Sequence, residues 1–291
     1  MCRWMGWFGQ PVLIDEVLFK TPHGIVDQSL LSRMGAEPTN GDGFGLGWYG
    51  AGDGPGVYRS VEPAWGDANL REIAGHVESP LFLTHVRAAI GSPVQETNCH
   101  PFRHGRWLFV HNGFIADFHL LRRDLMFALD PELFPEVRGS TDSEVVFHLA
   151  LTLGLEQDPI AALERTTGLI EATAERRGVK DAVQGSFGVS DGVGLWAVRY
   201  ATSGQPRSLF ASADVETVRG LYPDNERLQK LGHDDRLIVS EPFSDLPGAW
   251  HEIPPSTAVT LRRGEGVEMR PFRPAPAAPA VAPERSPAVS V

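Results

Sequence analysis

Strand-like runs stand on both sides of a pair of helical segments in this chain, and that order admits few architectures. From 80 to 116 the sequence reads as strands joined by turns: PLFLTHVRAAIG, a polar loop SPVQETNCHPFRHG, then RWLFVHNGFIA. Asp142 to Leu155 (DSEVVFHLALTLGL) reads as a helix, with Ser140 or Thr141 placed to cap it and acidic residues in its first turn. A second helix is predicted from Asp158, with Pro159 at the first helical position, to about Arg177, where Gly178 ends it. Beyond 180 the pattern returns to strands. VQGSFGVSDGVGLWAVRY falls into two runs around Asp191-Gly192, a hairpin signal, and SLFASAD, RLIVSEPF and STAVTLRRGEGVEMRPF are further strand candidates. Strands, then helices, then strands, without a βαβ alternation, predict an α+β fold with mostly antiparallel sheets.

The remaining segments add detail. Residues 1–20 read as a strand followed by a looser apolar segment, and Phe118 to Leu129 as helical. Residues 35–56 (GAEPTNGDGFGLGWYGAGDGPG) are glycine-rich, which predicts a loop with tight turns or close backbone approach. A chain of 291 residues has room for about two domains or one large one. No internal repeat and no linker divides it before the last twenty residues. The expectation is one domain over 1–272 and a Pro/Ala-rich tail over 273–291, disordered and without a role in the fold. Lys and Arg number 26 against 37 Asp and Glu, a formal net charge of −11, so the chain carries no electrostatic footprint for nucleic acid or an anionic membrane. No stretch approaches the ~18 apolar residues of a membrane span. Gln10, Pro11, Asp15 and Glu16 interrupt the apolar N-terminus and no small-residue cleavage site follows, so no signal peptide is expected. Two cysteines make no disulfide framework, and the expected setting is the reducing cytoplasm.

Five features bear on chemistry. Met1-Cys2 is the sharpest: with Met1 removed, Cys2 carries a thiol and a free α-amine on one residue. An α-amine titrates near ~7.7–8.0, so a useful fraction is neutral at cellular pH and can take the thiol proton, directly or through one water. His111-Asn112-Gly113 follows an apolar run. It reads either as a hairpin turn or as two neutral donors, the Asn112 amide and the Gly113 N–H, aimed at an acyl-transfer oxyanion. Arg87 ends a buried-strand pattern and needs an anion, either a structural carboxylate or that of a ligand. Asp142, at a helix start, serves either helix electrostatics or a substrate ammonium. Cys99, beside His100 in a polar loop, offers a second nucleophile with His111 as its base. Two further patterns are set aside. Gly45-Leu46-Gly47-Trp48-Tyr49-Gly50 matches a dinucleotide fingerprint by letter only, having no strand before it and no helix after it. Cys99, His100, His104 and His111 lack the paired spacing of zinc ligands, so neither metal nor cofactor is expected.

Taken in order, the Met-Cys start, THVRAA, TNCHPF, HNG and STDSE resemble the class II glutamine amidotransferases, whose nucleophile is an N-terminal cysteine. NGDGFGLGWYG and RLIVSEPFSDLPGAWHEIPPSTAVTL resemble the short stand-alone branch, which includes γ-glutamyl amidohydrolases of ergothioneine and glutathione metabolism. The resemblance runs from Cys2 to about Phe272. It implies a four-layer α/β/β/α sandwich of two mostly antiparallel sheets, the fold of N-terminal-nucleophile hydrolases. It implies Cys2 as nucleophile, its α-amine as general base, and Asn112 with Gly113 as oxyanion hole. Arg87 would bind the α-carboxylate and Asp142 the α-ammonium of glutamine or a γ-glutamyl compound. The expected partners are that small molecule and either water or a separate enzyme that accepts ammonia. Two readings compete: a Cys99–His111 cysteine hydrolase, and a non-catalytic module that senses glutamine or scaffolds a partner.

Overall fold

Side-chain alternation along the first strand sets the layering. β1 (Arg3–Leu13) sends Trp4 and Phe8 to one face and Met5 and Trp7 to the other, and all four are buried. A strand buried on both faces must lie between two other layers. Those layers are supplied in the computed structural model, which describes residues 2–34, 38–89 and 91–276.

After β1 come α1 (Ile14–Leu18), α2 (Ile25–Leu30), β2 (Phe44–Trp48), β3 (Gly56–Ser60), α3 (Ala68–His76), β4 (Glu78–Val86), β5 (Phe102–His104) and β6 (Trp107–Ile115). Then follow α4 (Phe118–Phe127), α5 (Asp142–Thr152), α6 (Pro159–Arg177), β7 (Val183–Ser190), β8 (Gly194–Ala201) and β9 (Phe210–Ser212). The remainder is α7 (Val215–Leu221), α8 (Glu226–Gln229), β10 (Arg236–Val239), β11 (Trp250–Glu252), β12 (Thr257–Arg262) and β13 (Gly266–Pro271). One sheet runs β11-β9-β10-β1-β4-β2-β3 and the other β13-β12-β8-β7-β6-β5, with antiparallel pairing throughout.

Three apolar clusters hold the layers together. Trp4, Phe8, Leu83 and Ile238 of the first sheet meet Leu108, Val110, Leu195 and Leu261 of the second. Ile14, Leu18, Ile25 and Leu70 pack α1, α2 and α3 on the outer face of the first sheet. Leu121, Phe147 and Leu163 pack α4, α5 and α6 on the outer face of the second. The result is the four-layer α/β/β/α sandwich.

The central helices begin and end where their capping chemistry dictates. Thr141, not Ser140, caps α5, its hydroxyl accepting from the Glu144 N–H at 3.3 Å. The Asp158 carboxylate accepts from the Ala161 N–H at 3.0 Å, and Gly178, with φ of 72°, closes α6.

Two expectations are corrected. His111-Asn112-Gly113 is not a turn: β6 passes straight through it, pairing Asn112 with Ser186 and Gly113 with Gly185 of β7. The long partner strand overrides the local turn preference, and a side chain at 113 would lie 2.1 Å from the Gln184 carbonyl oxygen. The glycine-rich stretch is likewise not all loop, because β2 lies inside it, paired on both sides. A Cβ on Gly45 would sit 2.1 Å from the His100 carbonyl oxygen, so glycine lets the TNCHPF segment press against the strand. Past Phe272, the Ala275 N–H donates to the Glu164 carbonyl of α6 at 3.0 Å. Residues 277–291, most of the expected tail, lie outside the described residues. Among the described residues no helix is long and apolar enough to cross a membrane.

Gly45→Ala should therefore cost about 1–3 kcal/mol by overpacking. Gly50→Ala, which meets no atom within 4 Å, should stay within about 0.5 kcal/mol of the parent. Denaturant midpoints of the two variants check this, and equal midpoints would contradict the close approach at Gly45.

Candidate active site at one end of the inter-sheet cleft

Strand parity carries four separate segments to one place. Trp4 faces the other sheet, so Cys2, two residues earlier, continues the same face beyond the first strand pairing. Its thiol lies against Ala88, 3.5 Å from the Ala88 N and 3.6 Å from its carbonyl oxygen. Ala88 follows Arg87, which leaves the end of β4 beside β1. On the facing sheet Leu108 and Val110 point inward, and Asn112 is the next residue of that set. Asn112 pairs with Ser186, whose hydroxyl accepts from the Trp4 Nε1 at 2.9 Å, a bond that bridges the sheets two residues from Cys2.

Arg87 is 3% exposed. Its guanidinium donates to the Ser92 hydroxyl (2.7 Å) and to the carbonyls of Pro93 (3.1 Å) and Asp42 (3.4 Å). All three acceptors are neutral, and no carboxylate pairs with Arg87 among the described residues. A buried cation held this way keeps a strong attraction for an anion. Asp142 opens α5. Its Oδ2 accepts from the Ile115 N–H at 2.7 Å and its Oδ1 from the Ser143 N–H at 2.7 Å. Ser143 in turn bonds the Nδ1 of His111 at 2.9 Å. The start of α5 is thus tied to β6 on both sides of Asn112-Gly113.

The electrostatics follow from burial. Desolvation pushes the Cys2 thiol above its ordinary pKa; the Ala88 hydrogen bond and Arg87 pull it down, and Asp142 pushes it up. Arg87 and Asp142 therefore both act on the thiol, with opposite sign. Behind the site, the rings of His85 and His100 lie 4.1 Å apart, tilted by 32°, and His100 meets Phe102 at 4.5 Å. Desolvation, reinforced by the Arg87 charge, lowers His85 to about 3 and holds His100 well below the usual imidazole range. Desolvation also lowers His111 to about 4, against an opposing pull from Asp142.

The Cys99–His111 alternative is not assembled. The Cys99 thiol is buried against the carbonyls of Ser60 (3.4 Å) and Gln95 (3.7 Å), and desolvation pushes it up to about 11. His111 faces the helices instead, stacked on Phe187 at 4.7 Å. A thiol that resists ionisation and an imidazole that resists protonation, on different neighbours, make no nucleophile–base pair. His104 bonds Glu136 at 2.8 Å, and no group of three or more His, Cys, Asp or Glu among the described residues is placed to hold a metal.

Sequence reading passed over Arg3, His85, Ser186 and Glu241, all buried around this end of the cleft. The signal available for Arg3 and His85 was a polar residue inside an apolar strand. Ser186 and Glu241 gave none.

A family profile described as class II glutamine amidotransferases matches residues 23–282, a span that starts after Cys2. The chain is 34% identical over 296 residues to the Saccharomyces cerevisiae protein described as probable glutamine amidotransferase DUG3, covering 90% of this chain and 82% of that one. It is 28% identical over 268 residues to the γ-glutamyl-hercynylcysteine sulfoxide hydrolase of Mycolicibacterium smegmatis, covering 90% and 96%. A solved glutamine aminotransferase class-II domain protein from Silicibacter pomeroyi matches with TM-score 0.69 and 32% identity, over 94% of this chain and all of that one. The glutamine phosphoribosylpyrophosphate amidotransferase of B. subtilis shares the fold, with TM-score 0.64 at 15% identity, over 93% of this chain and 49% of that one.

The buried histidines make a pH prediction. Their folded pKa values lie below the ~6.5 of a free imidazole, so the unfolded chain binds protons first as pH falls. Stability is full above that value and declines down to about 4 for His111 and about 3 for His85. Denaturant midpoints should fall between pH ~7 and ~5 while three imidazole NMR signals stay unshifted. Three freely titrating signals would contradict the burial argument.

Proposed function

Since the chain belongs to the class II glutamine amidotransferases, a family of enzymes, we propose that it cleaves the γ-amide bond of glutamine or a γ-glutamyl compound through Cys2. The observation that carries this reading is the convergence of Cys2, Arg87, Asn112-Gly113 and Asp142 from separate segments on one end of the inter-sheet cleft. Met1 lies outside the described residues; its removal is part of the proposal, because it frees the α-amine of Cys2.

The steps use this chain's own groups. Arg87 takes the substrate α-carboxylate, which suits a buried guanidinium supplied only with neutral acceptors. Asp142 takes the α-ammonium. The Cys2 α-amine accepts the thiol proton, directly or through one water, and offsets the desolvation that raises the thiol pKa. The sulfur attacks the γ-carbonyl carbon, and the Asn112 amide and Gly113 N–H receive the developing oxyanion. Collapse expels ammonia or an amine, which takes the proton held by the α-ammonium and leaves a γ-glutamyl thioester. Water, activated by the same amine, hydrolyses the thioester to glutamate and restores the thiol. Ammonia passes to water or to a separate accepting enzyme. Similarity to a γ-glutamyl hydrolase favours simple hydrolysis of a γ-glutamyl compound.

Intact-mass analysis and peptide mapping with a γ-glutamyl diazoketone should find Met1 absent and the label on Cys2. Cys2→Ala should abolish labelling and turnover. Arg87→Gln and Asp142→Asn, which lose a charge facing the substrate, should each lower kcat/KM by roughly 10²–10³-fold, since breaking a buried charge pair costs about 2–5 kcal/mol. Label on Cys99, or retention of Met1 in an active preparation, would overturn the Cys2 mechanism.

A further inference from the structure

A buried carboxylate beside the nucleophile end of β1 has no part in these steps. Glu241 is 2% exposed and sits just past β10, where Ser240 prolongs the pairing with β1. The Ser240 N–H donates to the Trp4 carbonyl at 2.9 Å, and the Trp4 N–H to the Ser240 hydroxyl at 3.0 Å. The Glu241 carboxylate gathers four donors from three other segments. They are the Arg3 Nε (3.1 Å), the His23 Nε2 (2.6 Å) and the backbone N–H groups of Arg33 (2.8 Å) and Met34 (3.0 Å). The same Arg3 guanidinium donates through its Nη1 to the Cys2 carbonyl at 3.0 Å. Gln28 locks the arrangement, its amide donating to the carbonyls of Glu241 (3.1 Å) and His23 (3.0 Å). Burial alone would raise the Glu241 pKa. The donors, led by the Arg33 N–H, outweigh it and hold the group below the usual carboxylate range.

An isolated buried ion pair contributes little net stability, because desolvation cancels most of the attraction. This one does something a pair does not. Once Met1 is gone, Cys2 is tethered through a single peptide bond, the one to Arg3, and nothing precedes it to fix its torsions. Its carbonyl shares the Cα with both the thiol and the amine, so holding that carbonyl limits where both groups point. Residues 31–34, in neither helix nor strand, meet the same carboxylate through two N–H groups.

We infer that Glu241 is a positioning residue for the nucleophile: through Arg3 it fixes the Cys2 carbonyl, and through the Arg33 and Met34 amides it seats the 31–34 segment beside the site. The inference rests on Cys2 being the nucleophile, and misplacement of a reacting group by about 1 Å can cost 10²-fold in rate.

The test uses the full chain with Met1 removed, as wild type, Glu241→Gln and Arg3→Lys. Lysine keeps a charge for Glu241 but lacks the fork through which Arg3 reaches the carboxylate by Nε and the Cys2 carbonyl by Nη1. Three readouts are taken: kcat and KM for γ-glutamyl-p-nitroanilide, the pH–rate profile of Cys2 alkylation by iodoacetamide, and hydrogen exchange at the Arg33 and Met34 amides. Both variants should lose roughly 10–100-fold in kcat with KM changed less than about threefold, and should shift the alkylation profile. Glu241→Gln alone should also deprotect the two amides. If Glu241→Gln does not fold, Arg3→Lys decides by the same kcat and alkylation readouts. Unchanged kcat and alkylation in a folded variant overturn the inference, as does a kcat loss with an unmoved alkylation profile, which marks a merely structural role. If the wild type turns over no γ-glutamyl compound, the proposed function fails; the alkylation profile still decides the clamp, a shift supporting it and its absence overturning it.

Discussion

The contact between the two sheets around Trp4 governs this molecule. Its indole is buried in the inter-sheet core, its Nε1 reaches across to Ser186, and its backbone is bonded on both sides to Ser240. That contact fixes the spacing of the sheets one residue pair inward from Cys2. It also fixes which side chains face the cleft, because a one-residue slip of β1 would turn Cys2 and Trp4 outward and bring Arg3 and Met5 in. The apolar cost of that slip is what gives Cys2, just before the strand, a defined place.

The site at the end of the cleft is a region where water is scarce and charge is rationed. Arg87 is buried among neutral oxygens, while His85 and His100 behind it stay neutral because desolvation and Arg87 itself oppose their protonation. On the facing sheet the Asp142 carboxylate is held by backbone N–H groups of β6 and α5, which lets it stay oriented while carrying charge. Opposite charges are thus held by two different layers.

Much of the scaffold was legible in the residues. Ser140 or Thr141 marks the start of α5, and Asp158, Pro159 and Gly178 both ends of α6, because capping is decided within one turn of chain; α5 itself stops at Thr152, short of Leu155. Asp191-Gly192 marked the β7–β8 connection for the same reason. At Asn112-Gly113 and across 44–48 local preference favours a turn and a loop. Both segments are strands because long partners and close-packed backbone outvote glycine's freedom. The five candidate site residues are nameable through their order and resemblance. Glu241 was not, since an acidic residue after a strand carries no mark of the four donors it will meet.

The sequence by itself determined the α+β class, the start of α5 and both ends of α6. Each of those follows from side-chain type and short-range spacing, which folding cannot change. Only the tertiary structure decided that the Cys2 thiol lies against Ala88, that the Cys99 thiol is buried against Ser60 and Gln95 while His111 stacks on Phe187, and that Arg3 joins Glu241 to the Cys2 carbonyl. Those outcomes depend on strand register and on the meeting of two sheets, contacts between residues as much as 238 positions apart that no local pattern encodes.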